Sequence, residues 1–211
     1  MTRGAAIGLA GAALATVAAA AWSTQIMERP QPGTEVRVAK APRPSGDRIF
    51  LTESQLIQAK ATGVLDRDVK SILNVRKQMQ YGEFVWNERD IPGGPVWVRV
   101  DLKKQILSIF RGGHEIGTTV ILYGTDELQT PVGTFPVMAK SRDYRSRTYD
   151  NAPMPFSLHL TRDGVAIHGS DVRWGRATHG CVGVPVAFAE KLFGEVSKGD
   201  QVTIVSRGRK A

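Results

Sequence analysis

The pattern of hydrophobic and polar positions changes character several times along the chain. It begins with an unbroken small, apolar run from Gly4 to Trp22 behind one early charge, Arg3. That is the pattern of an export signal, and Ala18 to Ala21 offer cleavage sites of the Ala-x-Ala kind. The run is rich in Ala and Gly rather than Leu, which makes it a marginal permanent span. Residues 1–22 are therefore read as a signal peptide or membrane anchor, the alternative being a buried Ala-rich helix. Either export reading places the rest of the chain in the periplasm or cell envelope. Residues 23–48 carry Pro30, Pro32, Pro42 and Pro44 with Gly33 and Gly46 among scattered charges, which describes a tether rather than a core.

Residues 49–94 form a short helical and extended lead-in. Thr52-Glu53-Ser54-Gln55 is a capping-box pattern that opens a helix, and Gly63 can end it. Asp66 is placed to cap a second helix with Val69, Ile72 and Leu73 on one face. At Val96 the period changes to that of strands. Val96–Val100 and Gln105–Phe110 are separated by a Lys103-Lys104 turn. After Gly112-Gly113 come Thr118–Tyr123, Thr130–Val137, Phe156–Leu160 and Gly164–Ile167, and Gln201–Val205 closes the series. Pro185 suits a first helical turn, and Ala189, Leu192, Phe193 and Val196 form one apolar face behind it. The expected fold is mainly β: a β-sandwich-like domain over residues 95–206 with a short C-terminal helix and a small N-terminal helical element. Residues 207–211 are a basic tail.

Composition narrows the partners. The chain has 211 residues, a formal charge of +8 and a sequence pI near 9.9. A basic surface favours polyanions. No zinc-finger spacing or aromatic RNA-binding signature accompanies the charge, so nucleic acid is not the expected partner. One cysteine excludes a disulfide within the chain and leaves a thiol to explain.

That thiol, Cys181, stands in Thr178-His179-Gly180-Cys181-Val182-Gly183, with Ile167-His168-Gly169-Ser170 upstream. A thiol, two imidazoles and the glycines Gly169, Gly175, Gly180 and Gly183 are suitable parts for nucleophilic catalysis. Cys181 lies shortly before the expected C-terminal helix, whose dipole would favour a thiolate. His168 ends an expected strand, from which its ring can project into a cleft or into solvent. His179 shares a face with Cys181 if the segment is extended. The alternatives are a buried structural thiol and a zinc site built from His168, His179 and Cys181. The zinc alternative lacks a fourth ligand, so no metal or cofactor is expected. His114 reads as a turn residue and His159, between Leu158 and Leu160, as a surface or sheet residue.

Ile167-His168-Gly169 followed by Thr178-His179-Gly180-Cys181-Val182 resembles the signature of the YkuD-type L,D-transpeptidases: a His-Gly element, then Ser/Thr-His-Gly-Cys and an aliphatic residue. Thr130-Pro131-Val132-Gly133-Thr134-Phe135 is similar to the family's Thr-Pro-x-Gly-x-Phe strand, and Met154-Pro155-Phe156 to its Met-Pro-aromatic segment. The resemblance covers roughly residues 95–205. It implies a cysteine acyltransferase acting on peptidoglycan stem peptides, with Cys181 as nucleophile and His168 as base. It further implies that His179, Gly180, Gly169 and Thr178 support the oxyanion site and its loop. Two departures stand out. Gly183 occupies the position where Arg or Asn is usual, and the interval from His168 to Thr178 is short. Arg173 and Arg176, in that interval, are the candidates to bind substrate instead. Other outcomes of the same reading are an L,D-carboxypeptidase or murein endopeptidase that passes the thioester to water, and a catalytically decayed wall-binding module.

Overall fold

The computed structural model describes residues 47–65, 67–124, 129–147, 151–171 and 178–206. Expectations placed on the N-terminal signal and most of the tether, on Asp66, on Arg173, Gly175 and Arg176, and on the basic tail lie outside the described residues. Among the described residues no helix is long and apolar enough to cross a membrane.

The lead-in is more β than its sequence suggested. A short strand β1 (Arg48–Phe50) precedes helix α1 (Glu53–Ala61). Thr52 caps the helix as expected: its hydroxyl accepts from the Gln55 N–H, and the Gln55 side chain accepts from the Thr52 N–H. Gly63, at φ +69°, turns the chain away just past the end. The expected second helix is absent from the described residues. Val69, Ser71 and Leu73 are all buried, a period of two rather than 3.6, and β2 (Ser71–Leu73) pairs with β1. A further strand, β3 (Phe84–Trp86), follows.

β4 (Val96–Asp101) and β5 (Ile106–Arg111) form the expected hairpin. β6 (His114–Val120) begins four residues before the expected Thr118, so His114 is a strand residue, its Nδ1 2.8 Å from the Ser71 hydroxyl. β7 (Gly133–Pro136) lies inside the predicted Thr130–Val137 run. β8 (Ala139–Arg145) was not foreseen; its alternation of charges and small residues carries little apolar signal. Next come β9 (Pro153–His159), β10 (Ala166–Ser170), β11 (Val182–Pro185), α2 (Val186–Glu195) and β12 (Gln201–Val205).

These strands make two sheets. The larger runs β1-β2-β6-β5-β4-β12-β7, with β3 also on β6; the smaller runs β11-β10-β9-β8. Between them lies one core, to which the larger sheet gives Val98, Leu107, Ile109 and Ile204, and the smaller gives Leu158, Ile167, Val182 and Val184. Helix α2 adds Phe188, Ala189 and Leu192 to it. β3 is tied into this core by its aromatics: Phe84 and Trp86 meet Phe188 edge-on, at centroid distances of 5.6 and 5.4 Å.

Trp86 reaches Phe188 because its cross-strand partner is Gly117. A Cβ at Gly117 would lie 2.4 Å from the indole and 3.0 Å from Ile109. Gly117→Ala therefore displaces the indole from the core, with an expected loss of about 1–3 kcal/mol. A urea titration checks this: the midpoint falls while the slope is unchanged.

Candidate active site

β10 and β11 run parallel, with Ile167 beside Val182, His168 beside Gly183 and Gly169 beside Val184. Because Ile167, Val182 and Val184 point into the core, strand alternation sends Ala166, His168 and Gly183 to the opposite face. One step before the first register pair, Cys181 falls beside Ala166, on the face of His168. Parallel pairing thus places the thiol and the imidazole diagonally on adjacent strands, at a separation of about 7–8 Å between backbone positions. The sequence reading put His168 at the end of a strand; it is instead in the middle of β10, which is interior to its sheet, and its side chain is buried.

His168 Nδ1 lies 2.9 Å from the Gly169 carbonyl. A carbonyl only accepts, so Nδ1 carries the proton and Nε2 holds the free lone pair. Gly169 makes room for a neighbour: a Cβ there would meet Pro155 at 3.1 Å and Val186 at 3.3 Å. The thiol of Cys181 points to the Gly164 carbonyl at 3.6 Å. Thiol and imidazole are not hydrogen-bonded to one another in this structure.

The Cys181 segment is clamped from both sides. β10 holds one edge. On the other, Leu122 and Gly183 exchange two backbone hydrogen bonds of 2.9 Å each. The Thr178 N–H donates to the Tyr123 carbonyl at 3.1 Å, and the Thr178 hydroxyl donates to the Cys181 carbonyl. Thr178 also bridges to Gly124, whose N–H donates to the buried Thr130 hydroxyl at 2.9 Å. Thr130, from the Thr-Pro-x-Gly stretch, therefore supports the Cys181 loop from a distance. The motif carried Thr130 without a role, and Leu122–Gly124 had none assigned from sequence, since their backbone bridges leave no side-chain signature. Gly180 adopts φ +95°, a turn suited to glycine, and His179 is exposed.

The electrostatics correct one expectation. Helix α2 starts at Val186, with Pro185 as N-cap. The four residues of β11 separate it from Cys181 by about 13 Å of extended chain. A helix dipole acts within its first turn, so it does not reach the thiol. Burial instead pushes the Cys181 thiol above its ordinary value, with a backbone hydrogen bond from Ala166 acting the other way. Burial also lowers His168, opposed by the Gly169 hydrogen bond and aided by the proximity of His159, which would repel it were both protonated. At neutral pH the resting pair is a thiol and a neutral imidazole rather than an ion pair. Among the described residues no three His, Cys, Asp or Glu side chains are grouped as a metal site requires.

Gly183 has a steric reason. A Cβ there would lie 3.0 Å from Ser170 Cβ and 3.5 Å from Leu122 Cβ. The side chain usual in the family would have to displace one of them.

Two predictions follow from this packing and charge. Gly183→Ala lowers stability by about 1 kcal/mol, and Ser170→Gly restores it, giving a coupling of at least about 0.5 kcal/mol in a double-mutant cycle read by denaturant unfolding. Because burial raises the thiol, its alkylation by iodoacetamide rises with pH to a midpoint above the ~8.5 of a free cysteine. A midpoint below that value would show a preformed thiolate.

Comparison with known proteins adds the following. Residues 95–204 match the YkuD family model, the L,D-transpeptidase catalytic domain. No curated protein matches the chain. Among solved structures, the Ldtfm–avibactam carbamoyl enzyme is 27% identical with a TM-score of 0.50, covering 54% of this chain and 49% of that one. An L,D-transpeptidase from Mycobacterium tuberculosis H37Rv is 20% identical, TM-score 0.51, covering 54% and 59%. One from Stackebrandtia nassauensis is 22% identical, TM-score 0.50, covering 57% and 60%. At these identities the last two show the fold alone. The chain is matched over about half to three-fifths of the length of these relatives.

Proposed function

The chain belongs to the YkuD family of L,D-transpeptidase catalytic domains, and from that premise we propose that it is an exported acyltransferase acting on peptidoglycan stem peptides through a thioester on Cys181. The observation that supports this is the placement of Cys181 and His168 on one face of two adjacent parallel strands. In the proposed reaction the Cys181 side chain rotates away from the Gly164 carbonyl and gives its proton to His168 Nε2. Sγ attacks the carbonyl at the third residue of a stem tetrapeptide. Backbone N–H groups around Gly180 and Cys181 receive the oxyanion, with His179 and Thr178 holding their turn. The imidazolium then protonates the departing D-alanine amine, leaving a thioester. An amine of a neighbouring stem, or of an attached protein, takes the acyl group, and the energy held in the thioester makes a nucleotide or metal unnecessary.

A neutral resting pair suits this order of events. The thiol is activated only as the substrate arrives, and a lowered imidazole value keeps the base unprotonated at neutral pH. Residues 1–22 would deliver the domain to the periplasm or hold it at the inner membrane.

Incubation with purified muropeptides tests the proposal. Wild type yields cross-linked dimers and released D-alanine, and Cys181→Ala loses both by on the order of a thousandfold or more. Shortened stems without dimers would assign the acyl group to water, and an active Cys181→Ala would remove the thioester from the mechanism.

A further inference from the structure

His159 stands on the same sheet face as the proposed nucleophile and base. β9 pairs with β10 in antiparallel register, His159 beside Ala166 and Leu158 beside Ile167. Leu158 and Ile167 point into the core, so His159 and Ala166 point away from it. His159, Ala166 and Cys181 therefore form one row across three strands, with His168 one position along. Neighbouring strands are about 4.8 Å apart, which sets His159 and Cys181 roughly 10 Å apart at the backbone. The residue between them in this row is Ala166. The His159 ring packs edge-on against Tyr144 from β8, with 4.6 Å between centroids.

The second half of the proposed reaction needs something the first does not. An alkyl amine is an ammonium at neutral pH and must lose one proton before it can attack. After attack it must lose a second, which His168 relays to the departing sulfur. The first proton needs a separate acceptor. Water as acyl acceptor makes no such demand, since it attacks uncharged and its one proton follows the His168 route.

Building on the acyl-transfer reading above, we infer that His159 is a second base of this site, which takes the first proton from the acceptor ammonium and thereby favours transfer to amines over hydrolysis. The step balances. The ammonium gives one proton to His159, the free amine forms the new amide bond as the C–S bond breaks, and its second proton reaches Cys181 Sγ through His168 Nε2. His159 then returns its proton to solvent.

The surroundings suit a neutral base. Among the described residues, the titratable groups recorded beside His159 are Tyr144 from β8 and His168 from β10, neither of them a carboxylate that would hold the ring protonated. Burial alone lowers His159 from its ordinary value, which leaves it unprotonated and able to accept.

The test separates the two half-reactions in the full chain. Acylation of wild type and His159→Gln is followed by intact mass and D-alanine release with a stem tetrapeptide. Partition of the thioester is then measured with two acceptors: a diamino-acid side-chain amine, protonated at neutral pH, and hydroxylamine, which is not. Acylation and transfer to hydroxylamine should be unchanged in the variant. The ratio of amine transfer to hydrolysis should fall at least about tenfold, the low side of a general-base contribution. An unchanged ratio overturns the inference, as does a parallel loss with hydroxylamine, which would mark a structural role. His159→Asn is the second variant should Gln not fold. Wild type that forms no acyl-enzyme would instead defeat the acyl-transfer reading itself, and this inference with it.

Discussion

The two hydrogen bonds exchanged between Leu122 and Gly183 are the constraint on which the site depends. Leu122 follows the last residue of β6 by two positions, so the larger sheet extends past its own edge to grip the smaller one. β11 is thereby held by β10 on one side and by Leu122 on the other. A nucleophile on a free loop would lose conformational entropy each time it met its base. For the proposed nucleophile Cys181 that cost would be met once, on folding, by backbone bonds from two sheets. The close approach also disfavours a side chain at residue 183, because a Cβ there would press on Ser170 at 3.0 Å with Leu122 already in contact at 3.5 Å. The departure from the family pattern is thus a packing solution, with the small residue bringing two backbones together.

Desolvation dominates the charge state of the site. A helix dipole could favour a thiolate only from within a turn, and β11 takes up that distance. Among the described residues burial at the sulfur is opposed only by the Ala166 hydrogen bond, and the same burial acts on His168 in the opposite direction. Thiol and imidazole values move apart, which disfavours ionising the pair in the empty site. In the proposed mechanism the substrate's oxyanion and the backbone N–H groups supply the missing stabilisation. The ion pair then belongs to the reacting complex rather than to the resting enzyme.

The legible parts of the sequence were those whose signal is local. Capping of α1 by Thr52 and Gln55 is chemistry among neighbours, and β4, β5 and β12 are runs whose apolar content marks them directly. β2 misled because Val69, Ile72 and Leu73 fit a helical face, while the buried residues are Val69, Ser71 and Leu73. Tertiary context decided between two periods that such a short stretch supports equally. β11 was missed for another reason. Val182-Gly183-Val184-Pro185 pairs only with distant residues, and half of it is Gly and Pro. The helix start was read to within one residue, at Pro185, but without the extended strand between them the dipole was expected to reach Cys181, which gave the wrong direction for the thiol. The family motifs contained Cys181, His168, Thr130 and Thr178, but not the backbone of Tyr123 and Gly124 through which the two threonines are linked.

Gly183, Ala166 and His159 gather on one face of the smaller sheet. Gly183 leaves the position beside His168 without a side chain, Ala166 leaves only a methyl beside Cys181, and His159 closes the row. Small residues in the middle of such a row would destabilise a strand unless the space had a use, because they give up packing area that larger residues would bury. On this face they set a thiol and two imidazoles around a stretch of small residues, Ala166 itself being fully buried. In the proposed reaction an acceptor would have to reach the thioester among these groups. If the acyl group is carried as proposed, selection between amine and water rests on how His159 and His168 handle one proton.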